Sequence, residues 1–427
     1  MSFSEWKEVE LEEVIELVID YRGKTPKKLG GDWSRKGYKA LSAKNIKTGV
    51  IVQEDTIRYL DTNLYKKWMK EEVNRGDILM TSEAPFGELL LWDSDEKIVL
   101  SQRLFCLRTN YKVYSKYLYY YMTTNRFQKE LDARATGTTV RGLRQPQLLK
   151  CKIEYPPLQE QKAIAHILST LDEKIEINNK INKTLEEMAQ AIFKHWFVDF
   201  EFPNEDGEPY KSSGGEMVHS ELGPIPKGWE VGNISDLGDI VGGGTPSRKK
   251  EEYFVPKGIP WITPKDLSNN KNKYIYEGEN DISELGLKNS SAKIVPQGTV
   301  LFSSRAPIGY IAIAAVDVTT NQGFKSIVPK ETYGSEYVYQ ELKNKTALIS
   351  SRASGSTFKE ISGSGLKSIE TVIPSEQLVN KFSSVVGPFS DRIKANEQEI
   401  DVLTNFRDTL LPKLMSGEIR VPLEEDE

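Results

Sequence analysis

Cysteine is scarce in this chain: Cys106 and Cys151 are the only two in 427 residues. Two thiols build no disulfide framework, which points to a reducing, cytoplasmic compartment. Histidine is nearly as rare. His166, His195 and His219 lie on or just after one long helical stretch, with no spacing that would ligate a metal. They read as surface or helix-packing residues, with His195 beside Trp196 a possible partner contact as the other reading. Long apolar runs are missing too. The longest is the six residues from Ile311 to Val316, far short of a membrane span. The opening MSFSEWKEVELEE is acidic and lacks the basic and apolar regions of a signal peptide. The expectation is a soluble, cytoplasmic protein with no membrane contact.

The usual catalytic signatures are absent as well. There is no Gly-x-x-x-x-Gly-Lys-Ser/Thr phosphate loop and no Gly-x-Ser-x-Gly nucleophile elbow. Gly242-Gly-Gly-Thr-Pro-Ser247 is glycine-rich but lacks the strand–glycine–helix context of a nucleotide site, and reads as a turn before a loop. Tyr155-Pro-Pro-Leu158 lacks the amide or carboxylate of an amino-methyltransferase motif. Acidic clusters occur without the lysine spacing of a nuclease.

What the chain does hold is length enough for two or three domains, with 19 Tyr and 15 Phe available for their cores. Its net charge of −5 is uneven. The tail Glu424, Glu425, Asp426, Glu427 carries −4 and the first twenty residues carry −6, which leaves +5 on residues 21–423. Such mild basicity is compatible with nucleic acid without establishing it.

The most informative feature is a repeat. Arg134-Ala-Thr-Gly-Thr-Thr139 returns 218 residues later as Arg352-Ala-Ser-Gly-Ser-Thr357. Gly76-Asp-Ile-Leu-Met-Thr-Ser-Glu-Ala-Pro-Phe-Gly87 returns as Gly298-Thr-Val-Leu-Phe-Ser-Ser-Arg-Ala-Pro-Ile-Gly309. Thr25-Pro26 matches Thr245-Pro246, and Ser101-Gln102 matches Asn321-Gln322. A repeat this long is a whole domain plus an appendage, not a solenoid unit. A duplicated enzyme would duplicate its site, and no catalytic constellation occurs twice.

Within each copy, short Val-, Ile-, Thr- and Tyr-rich runs broken by Gly, Pro and Asn predict mixed strands and short helices. Residues 77–80 and 299–302 read as buried strands entered through glycine turns. After Pro156-Pro157 the breakers stop, and a helix is predicted from about Leu158 to Phe197. Its seam is Ile164, Leu168, Leu171, Ile175, Asn178, Asn182, Leu185, Ala189, Ile192, Trp196, with steps alternating four and three as in a coiled coil. Roughly 40 residues would span about 60 Å. The second copy gives Leu378, Phe382, Val385, Phe389, Ile393, Asn396, Ile400, Leu403, Arg407, Leu410, Leu414. Pro388 predicts a kink or break near Gly387. Asn178 and Asn396 hold equivalent seam positions, where a buried amide fixes register. The two helices either cap their own domains or pack together; packed antiparallel, they would set two domains at opposite ends of a rod. The polar, breaker-rich residues 203–221 read as a linker or surface loop.

The duplicated chemistry is basic and hydroxyl-bearing. Around the first Arg-Ala-Thr-Gly-Thr motif sit Arg134, Thr138, Thr139, Arg141 and Arg144; around the second sit Arg352, Ser356, Thr357 and Lys359. Gly137 and Gly355 would let backbone amides approach a phosphate. The divergent loops carry Lys24, Lys27, Lys44 and Asn45 in copy one, and Ser247, Arg248, Lys249, Lys265 and Arg305 in copy two. These are the candidate DNA-binding residues. Each cluster could equally be a solvated loop.

Together these motifs resemble the specificity subunit of Type I restriction-modification systems over essentially the full chain. The carriers are Gly243-Gly-Thr-Pro-Ser-Arg248, Gly258-Ile-Pro-Trp-Ile-Thr-Pro-Lys-Asp-Leu267, Ser303-Ser-Arg-Ala-Pro-Ile-Gly309, Asn321-Gln-Gly323, and Pro156-Pro-Leu-Gln-Glu-Gln161 opening a long helix. Copy one departs from the pattern, with Lys39-Ala-Leu-Ser-Ala-Lys-Asn45 where copy two has Pro260-Trp-Ile-Thr-Pro-Lys-Asp266. The resemblance implies an α+β chain with two target-recognition domains, residues 1–155 and 222–373. Antiparallel coiled-coil helices at 156–202 and 374–420 would separate them, with an acidic tail at 421–427. It implies double-stranded DNA as ligand, each domain reading half of a bipartite sequence. It also implies no catalysis in this chain, two methyltransferase subunits and restriction subunits as partners, and S-adenosylmethionine, ATP and Mg²⁺ held by those partners. Two other readings stay open on the residues alone: a stand-alone duplicated DNA-binding regulator, and a carbohydrate- or peptide-binding adaptor with a dimerising rod.

Overall fold

The computed structural model describes residues 6–137, 140–305, 307–355 and 359–421. The chain divides into two compact units, Met1–Ile175 with Val402–Glu427, and Glu176–Asp401. The division falls inside both long helices, so each unit owns one globular repeat and a stretch of each helix.

In the first unit a four-stranded antiparallel sheet runs in the order Ile15–Asp20, Leu104–Thr109, Ile78–Ser82, Phe86–Leu91. The strand Ile78–Ser82 is buried along its whole length. It is an inner strand covered on both faces, which is why its sequence reads as a continuous apolar run without alternation. Gly76 enters it with φ of 93°, as the glycine-turn reading expects. A second sheet holds Arg58–Leu60, Tyr38–Leu41 and Val99–Leu100. Lys7–Glu10 pairs antiparallel with Lys152–Tyr155. This closes the repeat on itself and feeds the chain into the first long helix, Leu158–Phe193.

The second unit repeats this plan. Gly238–Gly242, Lys325–Pro329, Val300–Phe302 and Ile311–Ala314 follow one another in the same order, with Tyr274–Ile275 added at the edge. Asn280–Ile282, Ile259–Ile262 and Thr319–Thr320 form the second sheet, extended by Phe254–Val255. Glu230–Asn233 pairs with Glu370–Ile373 and leads into the second long helix, Glu376–Met415. The duplication is therefore one of topology as well as sequence.

With the exception of Val385, the seam positions of both helices are buried or half-buried. In the first unit Ile164 and Leu168 share a core with Leu410, Leu414, Tyr117 and Leu118. Arg407, the charged member of its seam, donates to Asp172 at 2.6 Å, and the Tyr120 hydroxyl donates to the other oxygen of the same carboxylate at 2.6 Å. Glu160 takes Arg420 bidentately at 2.6 and 2.7 Å. In the second unit Ala189, Phe193, Trp196 and Phe197 pack on Leu378, Phe382 and Tyr337. There the first helix ends in a π-helical turn, Lys194–Val198. Burying an aromatic ring such as Phe193 or Phe382 contributes about 1.5–3 kcal/mol. Within each unit the helix segments run antiparallel: rising positions on the first (Glu160, Asp172; Asn178, Asn182) meet falling positions beyond (Arg420, Arg407; Glu399, Asn396).

Three local expectations are corrected. The second long helix continues unbroken through Gly387 and Pro388. Packing of Phe382, Val386 and Phe389 on the unit's core outweighs the roughly 3 kcal/mol cost of an interior proline. Val385 is exposed and Val386 takes the buried place, because the seam shifts by one residue at this turn. Residues 203–221 are no loose linker. Asn204 Oδ1 accepts from the amides of Asp206 and Glu208, Met217–Ser220 pairs with Gly223–Pro226, and Phe202 stacks on Trp229. Among the described residues no helix is long and apolar enough to cross a membrane.

Candidate nucleic-acid interface

Each unit presents the same device at the end of its central buried strand. In the first, Thr136 and Gly142 exchange backbone hydrogen bonds at 2.9 Å, the closing bridge of a hairpin. Leu143 N–H then donates to Ser82 O at 3.0 Å, and Gly142 bridges Glu83. In the second, Ser354 and Glu360 exchange bonds at 3.1 and 2.8 Å, Ile361 N–H donates to Ser304 O at 3.0 Å, and Glu360 bridges Arg305. The Arg-Ala-Thr/Ser-Gly motif is thus the first arm of a hairpin docked on the strand-end loop. Gly137 has φ of 103°, and a Cβ there would lie 2.2 Å from the Val140 carbonyl oxygen. No other residue fits this turn without moving backbone. Thr138, Thr139, Ser356 and Thr357, the predicted hydroxyl donors, lie outside the described residues.

The flanking cations divide by environment. Arg144 and Arg352 are exposed beside the hairpins, as is Lys359. Arg134 is half-buried and tied to Glu130 at 2.8 Å, and Arg141 to Asp132 at 2.7 Å. Lys27 is exposed on a short 3₁₀ turn, Lys27–Leu29. Lys24 is turned inward: its ammonium donates to the Trp68 carbonyl and lies 3.8 Å from the centre of the Tyr21 ring. Burial and, next, the neighbouring Lys70 charge push its pKa down.

Asn45 is corrected outright as a contact residue. It is buried, its Oδ1 accepts from Ser42 N and Oγ at 3.1 and 2.8 Å, and its amide donates to Gln53 O and Thr56 Oγ1 at 3.2 and 3.1 Å. It caps a helical turn, and Asp266 does the same for Thr263 in the second unit. In both copies this box leaves the preceding lysine, Lys44 or Lys265, exposed. Lys265 is held by Glu279 at 2.6 Å.

Both units open a cleft at this place. The second unit's cleft, about 670 Å³, is lined by Arg248, Lys265, Arg305, Asn321 and the rings of Phe254 and Trp261. Ser247 and Lys249 are exposed next to Arg248. The first unit's cleft, about 500 Å³, is lined by Asp20, Arg22, Glu83, Gln102 and Arg103. Sequence reasoning passed over Arg22, Glu83, Arg103 and Glu360. The alignment of the repeats held the signal for one of them, because Glu83 stands opposite Arg305. Arg22 pairs with Asp20 and lies 4.0 Å from the centre of the Phe105 ring, which aims its guanidinium across the cleft mouth.

No nucleophile is activated at the cysteines. Burial pushes the Cys106 thiol well up, and pushes Cys151 up to about 12, so both stay protonated at neutral pH. The two clefts carry donors and acceptors near strand ends, the kind of groups that can meet base edges, and exposed cations elsewhere on the same units are of the kind that can hold phosphates.

Comparison with known proteins agrees with this geometry. The family model described as the Type I restriction modification DNA specificity domain matches residues 3–187 and, a second time, residues 226–405. The Type I restriction enzyme MjaIX specificity subunit of Methanocaldococcus jannaschii is 45% identical over 190 residues, 44% of each chain. The HindI specificity subunit of Haemophilus influenzae is 27% identical over 407 residues, covering 82% of this chain and 88% of that one. The crystal structure of a Type I restriction-modification S subunit from M. genitalium shares the fold, with a TM-score of 0.60 at 18% identity over 96% of both chains. With the family's domain matched once in each structural repeat, this chain belongs to the Type I restriction-modification DNA specificity family.

Proposed function

We propose that this chain is the sequence-specificity subunit of a Type I restriction-modification complex. Each globular repeat reads one half of a bipartite double-stranded DNA target, and the long helices fix the unread gap. The observation that carries this is the pair of clefts, each beside the same set of backbone bridges and each lined by different side chains. That is the form two readers of different half-sites require. The chain itself performs no chemistry. It docks two methyltransferase subunits along its helices, restriction subunits join the complex, and S-adenosylmethionine, ATP and Mg²⁺ are held by these partners. The exposed cations Lys27, Lys44, Arg144, Arg248, Lys249, Arg352 and Lys359 contact phosphates, and each one bound releases counterions and steepens the salt dependence of affinity.

The test is co-expression of the full chain with a methyltransferase subunit, followed by single-molecule mapping of modified adenines. A split motif with an unread gap, absent without this chain, is the expected result. A tight complex with DNA but no methylation directed by it would return the protein to a stand-alone regulator.

A further inference from the structure

Glu83 and Arg305 occupy the same place in the two repeats. Each follows the buried central strand, each is bridged through its backbone to the docked hairpin, at Gly142 or Glu360, and each lines its unit's cleft. The backbone bridge is the same whichever side chain is present, so docking of the hairpin does not dictate the residue. The two side chains nevertheless carry opposite charge. Their partners also differ: Glu83 meets Arg103 at 3.0 Å, and Arg305 meets Glu360 at 3.6 Å, all four side chains between 35 and 48% exposed. Ion pairs this exposed contribute little to stability and exchange readily for a ligand's hydrogen bonds.

We propose that this position determines specificity, one residue for each half-site: Arg305 reads guanine and Glu83 reads cytosine. A guanidinium presents two parallel donors that match O6 and N7 of guanine, while a carboxylate accepts from the N4 amine of cytosine. On docking, Arg305 leaves Glu360, which keeps Lys325 at 3.5 Å as a partner. Glu83 leaves Arg103, whose freed guanidinium stays at the cleft to neutralise a phosphate. The inference rests on the proposed function and adds to it the residue and the base.

The experiment uses the full chain co-expressed with the methyltransferase subunit, comparing wild type with Arg305→Lys, Arg305→Gln and Glu83→Gln by adenine mapping. Arg305→Lys keeps the charge and a cation for Glu360 but loses the planar fork, so it tests readout even if Arg305→Gln fails to fold. The expected result is that both Arg305 variants relax one guanine of one half-site, with discrimination falling about tenfold or more. Glu83→Gln should alter a single position of the other half-site. A wild-type motif unchanged in letters by Arg305→Lys and Glu83→Gln, or both variants altering the same half, overturns the proposal alone. A wild-type chain that directs no split motif overturns the functional reading and this proposal with it.

Discussion

The side-chain amide of Asn396 donates to Oδ1 of Asn182 at 2.8 Å between the long helices of the second unit, and Asn396 is 1% exposed. One turn away on the first helix, Asn178 donates to the Glu399 carboxylate at 2.8 Å. A shift of either helix by one residue would bury an unpaired amide, so register is set by polar contacts inside an apolar seam. Replacing Asn396 by Ala should destabilise the protein by about 0.5–1.5 kcal/mol, the net worth of its hydrogen bond to the half-buried Asn182. The Asn182→Ala, Asn396→Ala cycle should show a coupling of roughly 0.5–3 kcal/mol in urea denaturation. Additive effects would mean that the pair sets no register.

Lys273 anchors the second repeat to both helices. Its side chain is 2% exposed, and its ammonium reaches Glu336 at 2.7 Å, Ser390 Oγ at 2.8 Å and Glu186 at 3.1 Å. Burial raises the Glu186 pKa, but Lys273 and Lys343 together hold it below the usual carboxylate value. Lys273→Met removes a buried cation from two half-buried carboxylates, Glu186 and Glu336, and should cost about 3–5 kcal/mol. Chemical denaturation monitored in the second unit checks this; a loss below 1 kcal/mol would show that the network relaxes around the gap.

Glu397 makes that anchor sensitive to pH. Burial pushes its pKa up to about 7, against the amides of Lys273 and Tyr274 that donate to it. Below about pH 4.5 the folded and unfolded states both carry the proton. Between there and pH 7 only the folded state keeps it, so stability falls as pH rises through this window. The full difference is at most about 3 kcal/mol. Glu397→Gln should flatten this part of the pH–stability curve; Glu186, Glu336 and Lys273 face the same site and are left unchanged in this variant. Equal slopes for wild type and variant between pH 5 and 8 would refute the assignment.

Gly137→Ala places a Cβ 2.2 Å from the Val140 carbonyl at positive φ. The hairpin must distort, at a local cost of about 1–3 kcal/mol. Because the hairpin lies outside the sheets, the thermal midpoint should move by only a few degrees while DNA affinity falls. Unchanged affinity measured by fluorescence anisotropy would remove the hairpin from the interface.

Much of the architecture was legible in the residues. The 218-residue repeat set two globular copies, because a duplicated order of strands and turns must fold to a duplicated topology. The four-three spacing marked the helices, and Gly76 and Gly298 marked the strand entries, since both signals are local. Tertiary structure alone decided the rest. Asn45 looked like a loop amide and proved a buried cap, because its partners Gln53 and Thr56 arrive only when the following turn folds back. Pro388 stays helical because the core holds both sides of it. Asn178 and Asn396 do not meet each other, since an antiparallel stagger pairs each with a residue one turn from its counterpart. Glu83 was passed over because its place shows only in the fold: it lines a cleft and bridges to Gly142 at the end of a strand that sequence shows as an apolar run.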